Sequence, residues 1–410
     1  MAFPPPPIVE KPEHVPADLV RDVDFYHLIH GEQDAQEAWR RVQVENPDIF
    51  WTPRNGGHWI ATRAADMETI ITDHERFSVR ITVLPAQPRL HTSMLNMDPP
   101  QHTPFRRLIT PAFLPKSVAA LETKVRELAR KLVDELEPRG ECEFVADFAK
   151  VLPIVVFLGM VDLPVQDAPM LLPWAEDMVR GEHGKERAAA ELNMSNYLAT
   201  YVDARIADPG DDLISFVANG MIGDRKITRE EVMATCSLLL FGGLDTVASI
   251  LGFIARFLAM HPEHRHRLVA EPALIPHATE ELMRRHGLPN QSRVLVSDLE
   301  LNGVSLREGD IIQWPSCLYG LDDRLNPDPL TVDFDRPAPI RHGVFGSGAH
   351  TCPGAVLARR EVRVFLEEWL PRIPDFWIKP GSKPKIATGP VNGVSELHLC
   401  WTPSQRRATQ

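Results

Sequence analysis

Cysteine is scarce in this chain, with five in 410 residues: Cys142, Cys236, Cys317, Cys352 and Cys400. The count is odd and no two form a CxxC pair, which disfavours a disulfide framework and a cysteine-rich zinc site. Most of them read as small buried hydrophobes. Positive charge is also short, 44 Lys plus Arg against 56 Asp plus Glu, a net charge of −12. A nucleic-acid binder would carry a basic footprint instead. A secretory signal is not expected at this end either. Met1 to Pro16 holds six prolines but neither a basic start nor an apolar core. Residues 1–17 read as an extended proline-rich arm, and the expected compartment is the reducing cytoplasm.

Apolar residues make up 44% and charged residues 24%, ordinary values for a soluble globular protein. Length alone suggests roughly two or three domains. One stretch challenges solubility: Val232 to Ala255 has a single charged residue, Asp245. It is long enough to span a bilayer. Thr235, Ser237, Gly242, Gly243, Thr246 and Ser249 interrupt it, and a lone central carboxylate is costly in lipid. A buried helix is the better reading.

Helical patterns dominate. Leu121 to Glu137 repeats apolar residues at helical spacing, Phe144 to Val161 is broken by Pro153, and Arg187 to Ala207 reads as helix. Thr228 to Glu231 is a capping box opening a helix that reaches Met260, roughly 45 Å long. A shorter helix covers Ala278 to His286. Strand signals fall at Trp59–Thr62, Arg293–Val296, Ile311–Trp314 and Ser395–Trp401. From Leu321 to Ile340 the chain is a long irregular loop, of a length that is usually functional. No repeat or linker appears, so 18–410 reads as one mainly α-helical domain with small β-sheets. His261, His264 and His266 lack the usual zinc-ligand spacing and read as a solvated helix start.

The decisive segment is Phe345-Gly-Ser-Gly-Ala-His-Thr-Cys352-Pro-Gly354. Its glycines let backbone fold tightly around one cysteine at the start of a helix. Amides and the helix terminus stabilise a thiolate there. Such a thiolate suits a haem iron, whose Cys ligand favours O–O cleavage. Glu281 and Arg284 lie one turn apart on a shared helical face. Gly242 and Gly243 are poor helix formers, marking a place where the backbone could open beside Asp245 and Thr246. His102 and Arg106 are spaced as HxxxR.

These motifs, in this order, resemble the cytochrome P-450 family, whose signature is FxxGxxxCxG. The resemblance covers nearly the whole chain. It implies that fold, with haem b between the central helix and the cysteine loop, ligated by Cys352. Phe345 and Gly354 shape the loop. His102, Arg106, Arg293 and His350 are implied as propionate partners. Glu281, Arg284 and Arg336 are implied as a buried structural cluster, and Asp245 and Thr246 as the catalytic acid–alcohol pair. Such a hydroxyl can hold dioxygen and its water while the carboxylate relays protons. Pro353 has no N–H, so the sulfur should lack one tuning hydrogen bond and be a stronger electron donor.

Within the family, Gly242–Val247, Met97–Pro100, Pro262–Arg265 and Ile373–Phe376 resemble the bacterial camphor hydroxylase group. That implies a monomeric monooxygenase fed by a [2Fe–2S] ferredoxin and an NADH-dependent reductase, using O2 on a small terpenoid ketone. Pocket residues carried over are Val83, Leu90, Leu238, Phe241, Gly242, Pro289, Pro390 and Val391. No tyrosine stands between Leu84 and Asn96, where camphor hydroxylase holds its ketone, and His91 or Thr92 would have to replace it. An ionone-type norisoprenoid is therefore expected over camphor. Arg106, Arg107, Arg359, Arg360 and Arg363 offer a basic spot for an acidic ferredoxin. The alternatives are a peroxide-driven peroxygenase and a non-catalytic haem gas sensor or carrier.

Overall fold

A computed structural model describes residues 8–31, 33–86, 94–180 and 184–403, and only the backbone at 179, 180, 184, 185, 241 and 244. Residues 1–7 of the proline arm, Leu90, His91, Thr92 and the Phe241 side chain lie outside the described residues.

The capping box forms as the sequence requires. Thr228 Oγ1 accepts from the Glu231 amide at 3.3 Å, and the Glu231 carboxylate accepts from the Thr228 amide at 2.8 Å. The helix it opens does not run unbroken to Met260. It covers Arg229–Leu244, leaves the helical line at Asp245 and resumes as Thr246–Met260. Two glycines weaken the backbone there. The Thr246 hydroxyl also donates to the Gly242 carbonyl at 3.0 Å, competing with the main-chain ladder. Gly243 is fixed by packing, since a Cβ there would come within 2.6 Å of the Phe157 ring. Among the described residues no helix is long and apolar enough to cross a membrane.

Pro153 does not break its helix. Val151–Val161 follows a wide turn at Val145–Ala149, and Pro153 sits in the first turn, where its missing N–H costs little. The expected Leu121 to Glu137 helix is observed as Pro115–Leu136, with Glu137 its cap, and the expected Ala278 to His286 helix as Ile275–Arg285, with His286 its cap.

Strands are short; some pair as local hairpins, and others pair over long sequence separations. One sheet runs in the order Ile49–Thr52, His58–Ala61, Ile311–Pro315, Asn290–Leu295, Phe77–Ser78. The expected Ser395–Trp401 strand divides. Gly393–Glu396 pairs with Lys385–Ala387, while His398–Trp401 joins Phe376–Ile378 and Glu141–Glu143.

Three apolar clusters hold these layers. In the first, Phe144 and Phe148 pack ring on ring against Phe365 and Trp369 of the helix Ala355–Trp369, beside apolar residues of Thr246–Met260. Burying such a side chain contributes roughly 1.5–3 kcal/mol. The second joins Trp39, Trp59 and Trp314 under the five-stranded sheet. The third seats Ala168–Arg180 and Gly184–Ala207 on Arg229–Leu244.

Candidate active site

Cys142, Cys236 and Cys317 are buried, and burial pushes their thiols far up. Cys352 differs. It is open on one side while protein crowds the other. Burial raises its thiol, but the Gly354 amide and the nearby Arg106 and Arg359 oppose that by favouring a thiolate. The loop before it turns through Gly346 and Gly348, both at φ +65, a conformation that glycine adopts without strain. The Cys352 amide then donates to the Phe345 carbonyl at 2.8 Å. A Cβ at Gly354 would sit 3.8 Å from the sulfur. The helix Ala355–Trp369 leaves from there and packs against Thr246–Met260.

Four donors gather beside this loop. His102 and Arg106 share a face of the helix His102–Ile109. The His102 and His350 rings lie 4.1 Å apart, and Arg106 donates to the Thr351 carbonyl. Burial, then Arg106, lowers His102 below an ordinary imidazole. Burial, helped by His102, Arg293 and Arg106, brings His350 down to about 3. Burial brings Arg293 down to about 10, with Asp98 opposing. Asp98 is spent on Ser78 and the Val79 amide. His350 Nε2 is buried without a hydrogen-bond partner. Such a concentration of buried donors beside one thiol fits a dianionic ligand, as haem propionates are.

The expected structural cluster forms fully. Arg284 grips both Glu281 oxygens, at 2.7 and 2.8 Å, with both side chains wholly buried. Arg336 reaches Glu281 at 3.0 Å. The arginines also donate to the carbonyls of Gly320, Pro327, Pro329 and Thr331. This holds the irregular segment that leads into the cysteine loop.

Asp245 is buried at the helix break, while Thr246 is partly exposed. A Cβ on Gly242 would meet nothing within 4 Å, so open space adjoins the break. Of the expected pocket residues, Pro289 bridges Val391, and the Pro390 carbonyl accepts from the Asn290 amide at 2.8 Å. Val83 follows Thr82, whose carbonyl accepts from Ser292 at 3.1 Å. These four therefore meet at one end of Asn290–Leu295. Leu238 lies at the margin of the third cluster.

The expected basic spot is smaller than the sequence suggests. Arg359 pairs with Glu280 at 2.7 Å, Arg360 with Glu122 at 3.0 Å and Arg363 with Glu280 at 3.9 Å. Arg107 is exposed and has no ion pair among the described residues. Arg359 has another contact that sequence reading missed: it lies 4.4 Å over the Phe345 ring. The i,i+4 step from Ala355 and the neighbouring aromatic were its only signals. Tyr26 was also missed. Its hydroxyl donates to the Leu84 carbonyl at 2.8 Å and its own carbonyl accepts from Thr388, joining the two pocket-side loops.

A family model described as Cytochrome P450 matches residues 157–386. A probable cytochrome P450 127A1 of Sinorhizobium fredii is 35% identical over 403 residues, covering 95% of this chain and 96% of that protein. A steroid C26-monooxygenase of Mycolicibacterium smegmatis is 31% identical, covering 93% of this chain and 97% of that one. The crystal structure of CYP101C1 matches with a TM-score of 0.87 at 40% identity, covering 96% of this chain and 100% of that chain. CYP101J2 gives the same score and coverage at 37% identity. Both carry the name of the camphor hydroxylase group that the motifs resemble. The chain belongs to the cytochrome P450 family and is a bacterial haem-thiolate monooxygenase.

Proposed function

We propose that Cys352 is the iron's thiolate ligand and that Asp245 and Thr246 handle protons in hydroxylation of a small terpenoid or norisoprenoid ketone. Bound haem supplies dioxygen activation and delivery of one oxygen atom to the substrate. Every other task falls to side chains. His102, Arg106, Arg293 and His350 receive the propionates. Glu281, Arg284 and Arg336 hold the segment that presents the cysteine, with 18–410 acting as one haem domain. Val83, Leu238, Pro289, Pro390 and Val391 exclude water and leave few polar partners, which suits a compact hydrocarbon skeleton.

The observation that carries the proton assignment is the broken helix. Asp245 is buried at the interruption, and the Thr246 hydroxyl, bonded to Gly242, stands beside the open space there. An acid next to an alcohol can pass protons inward along one short path. That pair favours a dioxygen-using enzyme over a gas sensor, which needs no relay, and over a peroxygenase, whose oxidant brings its own protons. Electrons come from a [2Fe–2S] ferredoxin and its NADH-dependent reductase in the cytoplasm.

Two measurements test this. A spin-state titration against a panel of terpenoid ketones should give a nearly complete high-spin shift with one scaffold, and no response across the panel rejects the substrate class. NADH oxidation with ferredoxin and reductase should yield hydroxylated product. Full-rate product formation with hydrogen peroxide alone would favour the peroxygenase.

A further inference from the structure

We propose that His261, Glu263 and His264 form a site for a divalent transition-metal ion, zinc in the first instance, separate from the haem centre. Their sequence spacing is unlike that of the usual zinc motifs. Backbone geometry changes its meaning. The central helix ends at Met260, His261 leaves the helical line at φ −123 and ψ 76, and Pro262 opens the next helix. The three side chains therefore come together over one turn instead of pointing apart.

Glu263 Oε1 lies 3.2 Å from His261 Nδ1 and 3.1 Å from His264 Nδ1. One ligand atom from each residue falls within 4.8 Å of the others. Ligands about 2.0–2.1 Å from a tetrahedral zinc stand roughly 3.3 Å apart. The side chains are thus nearly placed before an ion arrives.

A separate observation concerns the far side of His264. Its Nε2 lies 2.9 Å from the Val332 carbonyl. A carbonyl only accepts, so Nε2 carries the hydrogen there. In a neutral imidazole Nδ1 is then a bare lone pair, and it faces a carboxylate oxygen that is also an acceptor. A cation between them resolves that opposition. A ring N–H donated to a backbone carbonyl is also the usual outer support of a metal-bound histidine.

Both rings are held in place. Phe257 stacks on His261 at 4.3 Å, and Phe334 meets His264 edge-on at 5.2 Å. Two imidazoles and one carboxylate suit zinc, copper or nickel better than calcium or magnesium. The side chains are 40%, 63% and 22% exposed in sequence order, which leaves a remaining position for water. Val332 sits between Thr331, bonded to Arg284 and Arg336, and Asp333, whose amide donates to Glu281. A bound ion would therefore tie the end of the central helix to the segment supporting the cysteine loop.

The test is calorimetric titration of the untagged holoenzyme with zinc chloride. The expected result is saturable binding of one ion per chain. Binding should be about ten-fold or more weaker in His261→Ala and in the size-conserving Glu263→Gln. Zinc should also raise the unfolding temperature of the wild type, and raise that of both variants less at the same concentration, because it binds the folded form. Absence of saturable binding would overturn the site. Equal affinity in wild type and both variants would also overturn it, placing the zinc elsewhere.

Discussion

Replacing Glu281 by Gln keeps the side-chain shape and removes one buried charge. The carboxylate accepts from Arg284 Nε at 2.7 Å, Arg284 Nη2 at 2.8 Å, Arg336 Nε at 3.0 Å and the Asp333 amide at 2.9 Å. Glutamine offers one oxygen, and its amide nitrogen would face guanidinium donors. Two buried cations would remain around a neutral group. Breaking a buried ion pair by removing one partner costs about 3–5 kcal/mol. Arg284 and Arg336 keep their carbonyl acceptors, so the lower end, about 3 kcal/mol, applies. That is a large share of a typical stability of about 5–15 kcal/mol. Urea unfolding, followed in parallel by far-ultraviolet circular dichroism and haem absorbance, reads it directly. Both midpoints should fall, and the haem signal should go first, because the freed segment leads into the cysteine loop. A loss below about 1 kcal/mol, as for a surface ion pair, would refute the reasoning.

Other perturbations separate the remaining roles. Asp245→Asn should lower turnover roughly 100-fold with substrate binding kept. Thr246→Ala should sustain NADH oxidation while product per NADH falls and peroxide rises. Pro353→Leu adds an amide donor beside the sulfur that already receives the Gly354 amide, so the haem reduction potential should rise in redox titration; an unchanged or lower potential contradicts this. Glu280 is raised by burial, but His342 and Arg359 outweigh that and hold it at about 2 against an ordinary 4.5. Its contribution is complete above pH 4.5 and is lost as pH falls from there towards 2. Glu280→Gln should therefore flatten the acid side of a stability profile within that window.

Much of this arrangement is legible in the chain because it depends on local spacing. The i,i+3 step joins Glu281 to Arg284, the i,i+4 step joins His102 to Arg106, and glycine spacing shapes the turn before Cys352. Apolar periodicity marks Pro115–Leu136 and Thr246–Met260 in the same way. What escaped depends on distant partners or on backbone turns that spacing alone does not show. Glu141–Glu143 is a strand because His398–Trp401 lies beside it, and three residues are too few to show alternation. The helix break at Asp245 needed more than two weak helix formers, since the Thr246 hydroxyl also takes the Gly242 carbonyl. Arg359 looked like a docking residue because its exposed helical spacing says nothing of Glu280, 79 positions away. The convergence of His261, Glu263 and His264 was hidden for a similar reason, since it arises from the backbone turn between two helices.

The most direct test of the central claim is the reduced carbonyl spectrum of wild type and Cys352→Ser. The wild type should show the strongly red-shifted Soret band of thiolate ligation. The variant should lose that band while still retaining haem through His102, Arg106, Arg293 and His350. A red-shifted band that survives in Cys352→Ser would assign the iron to another cysteine and contradict the site described above.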